Sequence, residues 1–240
     1  MRSGILSIKK QANCEEDEKE QGDNWDHTAI DSEHRLLLSI VPGKRTTENC
    51  RKVVNEVKKR TNGRTDILIT SDKHAPYKTV IEEAYAIEEK QSDGSIEKVM
   101  PKELCYATVN KTREDGRVTN IVQELVYGNW IFLTLYLFLS VVSDTINTSF
   151  VERNNATDRN QNGRKARKTL RFSKNWLIHN SMTYYVAYSY NFCWPVRTLR
   201  KKNNDGKWKS RTPGMSAGLA DHVWTTLEWI SYPARPCMSM

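Results

Sequence analysis

Two carboxylates in this chain stand where phosphate chemistry would want them. Asp72 closes the apolar run Asp66 to Asp72, "DILITSD", and Glu152 lies in "NTSFVERNNATDR", between an apolar stretch and the most basic part of the sequence. A divalent metal held by carboxylates can activate a nucleophile and stabilise a leaving oxygen of a phosphodiester, while nearby Lys and Arg hold the backbone. Arg159 follows Glu152 by seven residues, two helical turns, so both would project from one face. Each acid also has a purely structural reading. Asp72 suits a turn or a helix cap, and Ser149-Phe150-Val151-Glu152 fits the capping box S-x-x-E.

Downstream, "GRKARKTLRFSK" supplies Arg164, Lys165, Arg167, Lys168, Arg171 and Lys174, with Phe172 interleaved and no acid at helical spacing. A solvated helix face accounts for part of this pattern, and contact with a phosphate backbone accounts for the rest. The charge is regional. Residues 150–212 hold fifteen Lys or Arg against three Asp or Glu, whereas the whole chain carries only +8. Such a patch is the electrostatic footprint of a nucleic-acid binder.

Other chemistries find little support. Cys14, Cys50, Cys105, Cys193 and Cys237 show no C-x-x-C pair and no histidine at zinc spacing, so they read as reduced thiols of a cytoplasmic protein. His27, His34, His74, His179 and His222 form no ligand pattern, no local Ser/His/Asp or Cys/His arrangement is evident, and Gly-rich phosphate loops are absent. No signal peptide opens the sequence. Trp130 to Val142, "WIFLTLYLFLSVV", has eleven apolar residues in thirteen. As a helix it would reach about 20 Å, short of the roughly 30 Å of a bilayer core, so a buried helix is the expectation.

The elements that must position these residues read as α/β. Trp25 to Ile30 and Arg35 to Val41 look like adjacent strands joined by a tight turn. "TTENCRKVVNEVKKR" caps at Thr46 or Thr47 and places Cys50, Val53, Val54 and Val57 on one helical face. The strand ending at Asp72 leads into a helix opened by Pro76 and running through Ala86. Leu104 to Asn110 and Val118 to Val126 suggest a hairpin turning at Asp115-Gly116. A long basic helix is expected from Ser149, weakened at Gly163, then an aromatic helix from Trp176 to Phe192 and a polar loop at "KKNNDGKWKSRTPG". A short helix over Asp221 to Ile230 closes the chain, and Glu15 to Asp26 reads as an exposed loop or a wide hairpin connection.

With these residues assembled, the sequence resembles the DDE transposases of the insertion-sequence-one family. The resemblance rests on "INTSFVERNNATDRNQNGRKARKTLRFSK" and "TSDKHAPY", and extends from "GDNWDHTAIDSEHRLLLSIVPGKRTTENC" to "RTPGMSAGLADHVWTTLEW". It implies a ribonuclease H-like α/β fold, a mixed sheet flanked by helices with an incomplete first strand, over residues 1–175. Residues 176–240 would form an aromatic, basic, helical extension. It further implies a site in which Asp72 and Glu152 hold Mg²⁺ or Mn²⁺, a basic residue at Arg159, and strand cleavage and transfer on DNA during transposition of an insertion element, with element ends and target as partners and homo-oligomers possible. The first aspartate of the family triad sits in a D-E-x-W motif, and "ILSIKK" corresponds to text that follows it. Asp23, Asp26 and Asp31 belong to later text. The expectation is a transposase-derived protein of weak or lost activity, with a non-enzymatic DNA-binding remnant as the alternative.

Overall fold

A computed structural model of the chain describes residues 4–7, 22–90, 95–165, 171 and 173–233. Among them the first layer is an antiparallel sheet of β1 (Gly4–Ser7), β2 (Gly22–Asp31) and β3 (Leu36–Gly43), in the order β1-β2-β3. The β2–β3 turn is built by Asp31, whose carboxylate accepts from the Glu33 backbone N–H at 2.8 Å and lets Arg35 take a positive φ of 56°. A bulge between Ala29 and Ile30 shifts the register beyond it.

From β3 the chain enters α1 (Thr47–Arg60), capped by the Thr46 hydroxyl on the Asn49 N–H, with Cys50, Val53 and Val54 buried as their spacing predicts. A second, mixed sheet follows: β4 (Leu68–Asp72) runs parallel to β7 (Cys105–Glu114), which pairs antiparallel with β8 (Arg117–Tyr127). The β7–β8 turn falls at Asp115 and Gly116, both with positive φ, as the Asp-Gly pair predicts. Between β4 and β7 lie α2 (Pro76–Tyr85) and a small hairpin of β5 (Ile87–Lys90) and β6 (Ile96–Val99), which the sequence reading had not separated.

Helices flank the mixed sheet because both its faces are apolar. On one face Cys50 and Val54 of α1 and Val80, Ile81 and Tyr85 of α2 pack with Leu104 and Tyr106. On the other, Cys105, Ala107 and Val109 meet Ile146 and Leu133 of α3 (Trp130–Leu139). The expectation of a buried apolar helix over residues 130–142 is corrected here. Leu133 is α3's one buried residue, while Phe138 and the neighbouring Val141 are 84% and 86% exposed. A helix apolar on every side has no polar side to present to water, so docking one face leaves the others bare.

The polar helix α4 (Ser149–Gln161) stops earlier than expected. Asn162 caps it and a 3-10 turn covers Gly163–Lys165. The aromatic helix α5 (Trp176–Cys193) packs Ala187 and Tyr190 on Leu37 and Ile40 of β3, so the C-terminal segment joins the first sheet's core. The segment read as a polar loop contains a hairpin of β9 (Lys201–Lys202) and β10 (Trp208–Lys209). Short helices α6 (Pro213–Ser216) and α7 (Thr226–Ser231) follow, α7 with a capping box between Thr225 and Glu228.

Candidate functional site

Strand alternation sends Leu68, Thr70 and Asp72 to one face of the mixed sheet, in register with Cys105, Ala107 and Val109 of β7. Lys111, two residues beyond Val109, continues that face past the end of β4. The start of α4 docks against it. The Thr70 hydroxyl donates to the Asn147 carbonyl at 3.1 Å, and the Gln123 amide donates to that of Ile146 at 2.5 Å. The Lys111 ammonium then donates to the Glu152 carboxylate, to which the Thr148 hydroxyl also donates at 3.2 Å. By strand alternation Asp72, 80 residues before Glu152 in sequence, ends β4 on the sheet face against which the start of α4 docks.

Thr148, not Ser149, is the N-cap of α4, so the capping box S-x-x-E does not form. Glu152 enters one position too late to reach back to the cap, and its carboxylate faces the sheet instead. The structural alternative for Glu152 is therefore corrected: its partners are side chains.

Asp72 opens into a small cleft between the two sheets, walled by Trp25, Asp26 and His27 of β2 and by Arg45, His74 and Tyr77. The Arg45 guanidinium lies 3.9 Å from the Asp72 carboxylate and 5.8 Å from the centre of the Trp25 ring. Deeper in, the His27 Nδ1 and Cys50 Sγ stand 3.8 Å apart, a pairing that no sequence spacing revealed. It is no nucleophilic dyad. Burial pushes the Cys50 thiol up and the His27 imidazole down, so at neutral pH the pair is thiol and neutral imidazole. Burial likewise raises the Tyr77 phenol, which hydrogen-bonds Cys50. The charges bordering this cleft are those of Asp72, Arg45 and Asp26.

Asp26 leads to the main departure from the sequence reading. Lys165, expected to hold DNA, is fully enclosed, its ammonium 3.0 Å from Asp26 and 2.7 Å from Asp158. An ammonium buried between two carboxylates is not on the surface that a phosphate backbone would touch. This corrects its assignment to the basic face. The same helix side hydrogen-bonds β2 again, where the Thr28 hydroxyl donates to Asn155 at 3.2 Å. α4 thus packs through Asn154, Asn155 and Asp158, polar residues that carry no apolar periodicity.

Of the other basic residues, Arg159 and Arg164 are half-buried and Arg171 is exposed, and Arg167 and Lys168 lie outside the described residues. Arg159 stands on α4 two turns from Glu152, as its spacing predicts. Comparison with protein-family models, curated proteins and solved structures finds no match to this chain. None of the described helices is long and apolar enough to cross a membrane.

Carboxylate oxygens are the donors that Mg²⁺ and Mn²⁺ prefer. The set is nevertheless incomplete. Among the described residues no three His, Cys, Asp or Glu side chains converge as a metal-holding group. Asp72 faces Arg45, Glu152 is bound by Lys111, and Asp26, the further acid at the cleft, is held by Lys165.

Proposed function

We propose that this chain is transposase-derived, with a ribonuclease H-like catalytic layer, and that it acts on DNA, element ends and target alike. Its ancestral chemistry is metal-dependent strand cleavage and strand transfer. The observation that carries this reading is that Asp72 ends β4 on the sheet face against which the start of α4, with Glu152, docks, and that Arg159 lies two turns further along α4. Two carboxylates at the end of a mixed sheet and a basic region leading away from them suit a phosphodiester laid across α4.

Mg²⁺ or Mn²⁺ is the cofactor this reading implies, and Asp72 and Glu152 are the residues that would hold it. The third carboxylate that such a site needs is not free here, because Asp26 is locked to Lys165. Two carboxylates that each face a cation already hold a divalent ion weakly. Cleavage is therefore impaired, and DNA binding through Arg159, Arg164 and Arg171 is the activity that remains.

The pairing of each acid with its own cation also favours the second reading, a DNA-binding remnant with no catalysis at all. One experiment separates the two. Purified protein is offered supercoiled plasmid with Mg²⁺, with Mn²⁺ and with chelator, beside Glu152→Gln. Salt-sensitive binding that survives chelator, with slow metal-dependent nicking lost in E152Q, supports the impaired enzyme. The same binding with no nicking under any metal supports the remnant. Absence of DNA binding at low salt overturns both.

A further inference from the structure

The β9–β10 hairpin gathers an exposed aromatic ring and cations in an arrangement that stability does not require. Trp208 pairs with Lys202 and Lys209 with Lys201. Strand alternation therefore sets Trp208 and Lys202 on one face and Lys201 and Lys209 on the other. Arg200, two residues before Lys202, reaches the Trp208 face. Its guanidinium carbon lies 4.3 Å from the ring centre, and the Lys202 ammonium lies 5.4 Å from it. Trp208 remains 54% exposed.

Seven Lys or Arg fall in residues 197–211 against one acid, Asp205, and none of the seven forms an ion pair among the described residues. Exposed cation–π contacts of this kind stabilise a fold only slightly. Six positive charges in excess, with Asp205 the single acid among them, repel one another, which an anionic partner relieves.

The hairpin is presented firmly. Its base closes where the Val196 N–H donates to the Arg211 carbonyl at 3.0 Å, and Gly206 turns the tip with φ 74°. Immediately after it, Thr212 to Met215 are buried on α5, and a side-chain carbon at Gly214 would stand 2.9 Å from the Asn191 carbonyl. A tip of polar residues on a buried base is the geometry of a probe.

We propose that this hairpin is a second nucleic-acid contact, separate from α4, in which Trp208 stacks on an unpaired base while Arg200 and Lys202 hold the phosphates beside it. Stacking on an aromatic ring suits any base, since each has a π face, and the adjacent cations track the backbone. A duplex keeps its bases paired inside the stack, so the hairpin selects single strands and frayed ends. This inference rests on the reading of the chain as a DNA-acting protein and adds to it the form of nucleic acid held.

The test measures binding of the full chain to a labelled single strand, an abasic strand of equal length and a duplex, over a range of salt. Trp208→Ala is expected to weaken single-strand binding about tenfold. It should leave duplex binding within about twofold and abolish the preference for the strand with bases over the abasic one. Trp208→Phe retains most of that preference. Lys202→Gln lowers the magnitude of the single-strand salt slope by about 0.7, one phosphate contact. Equal binding of W208A and the parent to the single strand overturns the proposal, as does an equal loss on the abasic strand. If the parent binds while only Arg164 and Arg171 substitutions matter, the hairpin inference alone fails. If the parent binds no DNA, the functional reading fails with it.

Discussion

Lys165→Met separates a buried structural ammonium from a surface contact to DNA. Methionine keeps most of the length of the side chain and removes its charge, which strands Asp26, 1% exposed, and Asp158, 10% exposed, without the cation between them. Breaking a buried ion pair from one side costs about 3–5 kcal/mol, because the remaining charge stays desolvated. That is a large share of a typical stability of roughly 5–15 kcal/mol. At about 2–4 °C per kcal/mol for a chain of this size, Tm should fall by roughly 6–20 °C. Thermal and denaturant unfolding followed by circular dichroism measure the loss. The triple variant with Asp26→Asn and Asp158→Asn added should recover much of it, since no unpaired buried charge then remains. Meanwhile the salt slope of DNA binding, measured below the melting range, should match the parent. The reasoning is refuted if the single variant melts within about 0.5 kcal/mol of the parent, as surface changes do, and its duplex slope falls by about 0.9.

Two further outcomes follow from burial. His179 is enclosed with its Nδ1 2.7 Å from the Ser173 hydroxyl, and burial, aided by Lys165 and Arg164, holds its imidazole down at about 4. The unfolded chain binds that proton first, so the contribution is complete above about pH 6.5 and is lost as pH falls toward 4. Relative to His179→Gln, the parent should lose roughly 2–3 kcal/mol between pH 7.5 and 4.5, and a flat difference in urea midpoints would contradict the buried neutral ring. On α3, Leu133→Ala should cost about 2–5 kcal/mol whereas Phe138→Ser should stay within about 0.5 kcal/mol. Equal costs in denaturant titrations would show that Phe138 is covered in solution.

Much of the first 127 residues was legible in the sequence because each signal there acts locally. Thr46 caps α1, the Cys50, Val53 and Val54 stripe is buried, Pro76 opens α2, and Asp115-Gly116 turns the β7–β8 hairpin. Positions after residue 127 were read less well. The α4 surface that meets β2 is built from Asn155 and Asp158, and a polar interface has no periodicity to detect. The capping-box reading of Glu152 missed by one residue, since the cap fell at Thr148. Arg159 was placed on α4 by spacing alone, which the helix keeps.

By itself the sequence determined which acids end a strand or start a helix, where the turns lie, and that positive charge concentrates after residue 150. Backbone dihedrals, caps and side-chain period are properties of a few neighbouring residues, and they survive whatever the rest of the chain does. Tertiary structure alone decided which charges face water. Lys165 looks like every other lysine of its run until Asp26, 139 residues earlier, is brought to 3.0 Å. The apolar run of α3 looks like core until one face is covered and, among the described residues, no element covers the rest. Burial depends on what stands opposite a side chain, and opposition across two sheets is written in no local pattern.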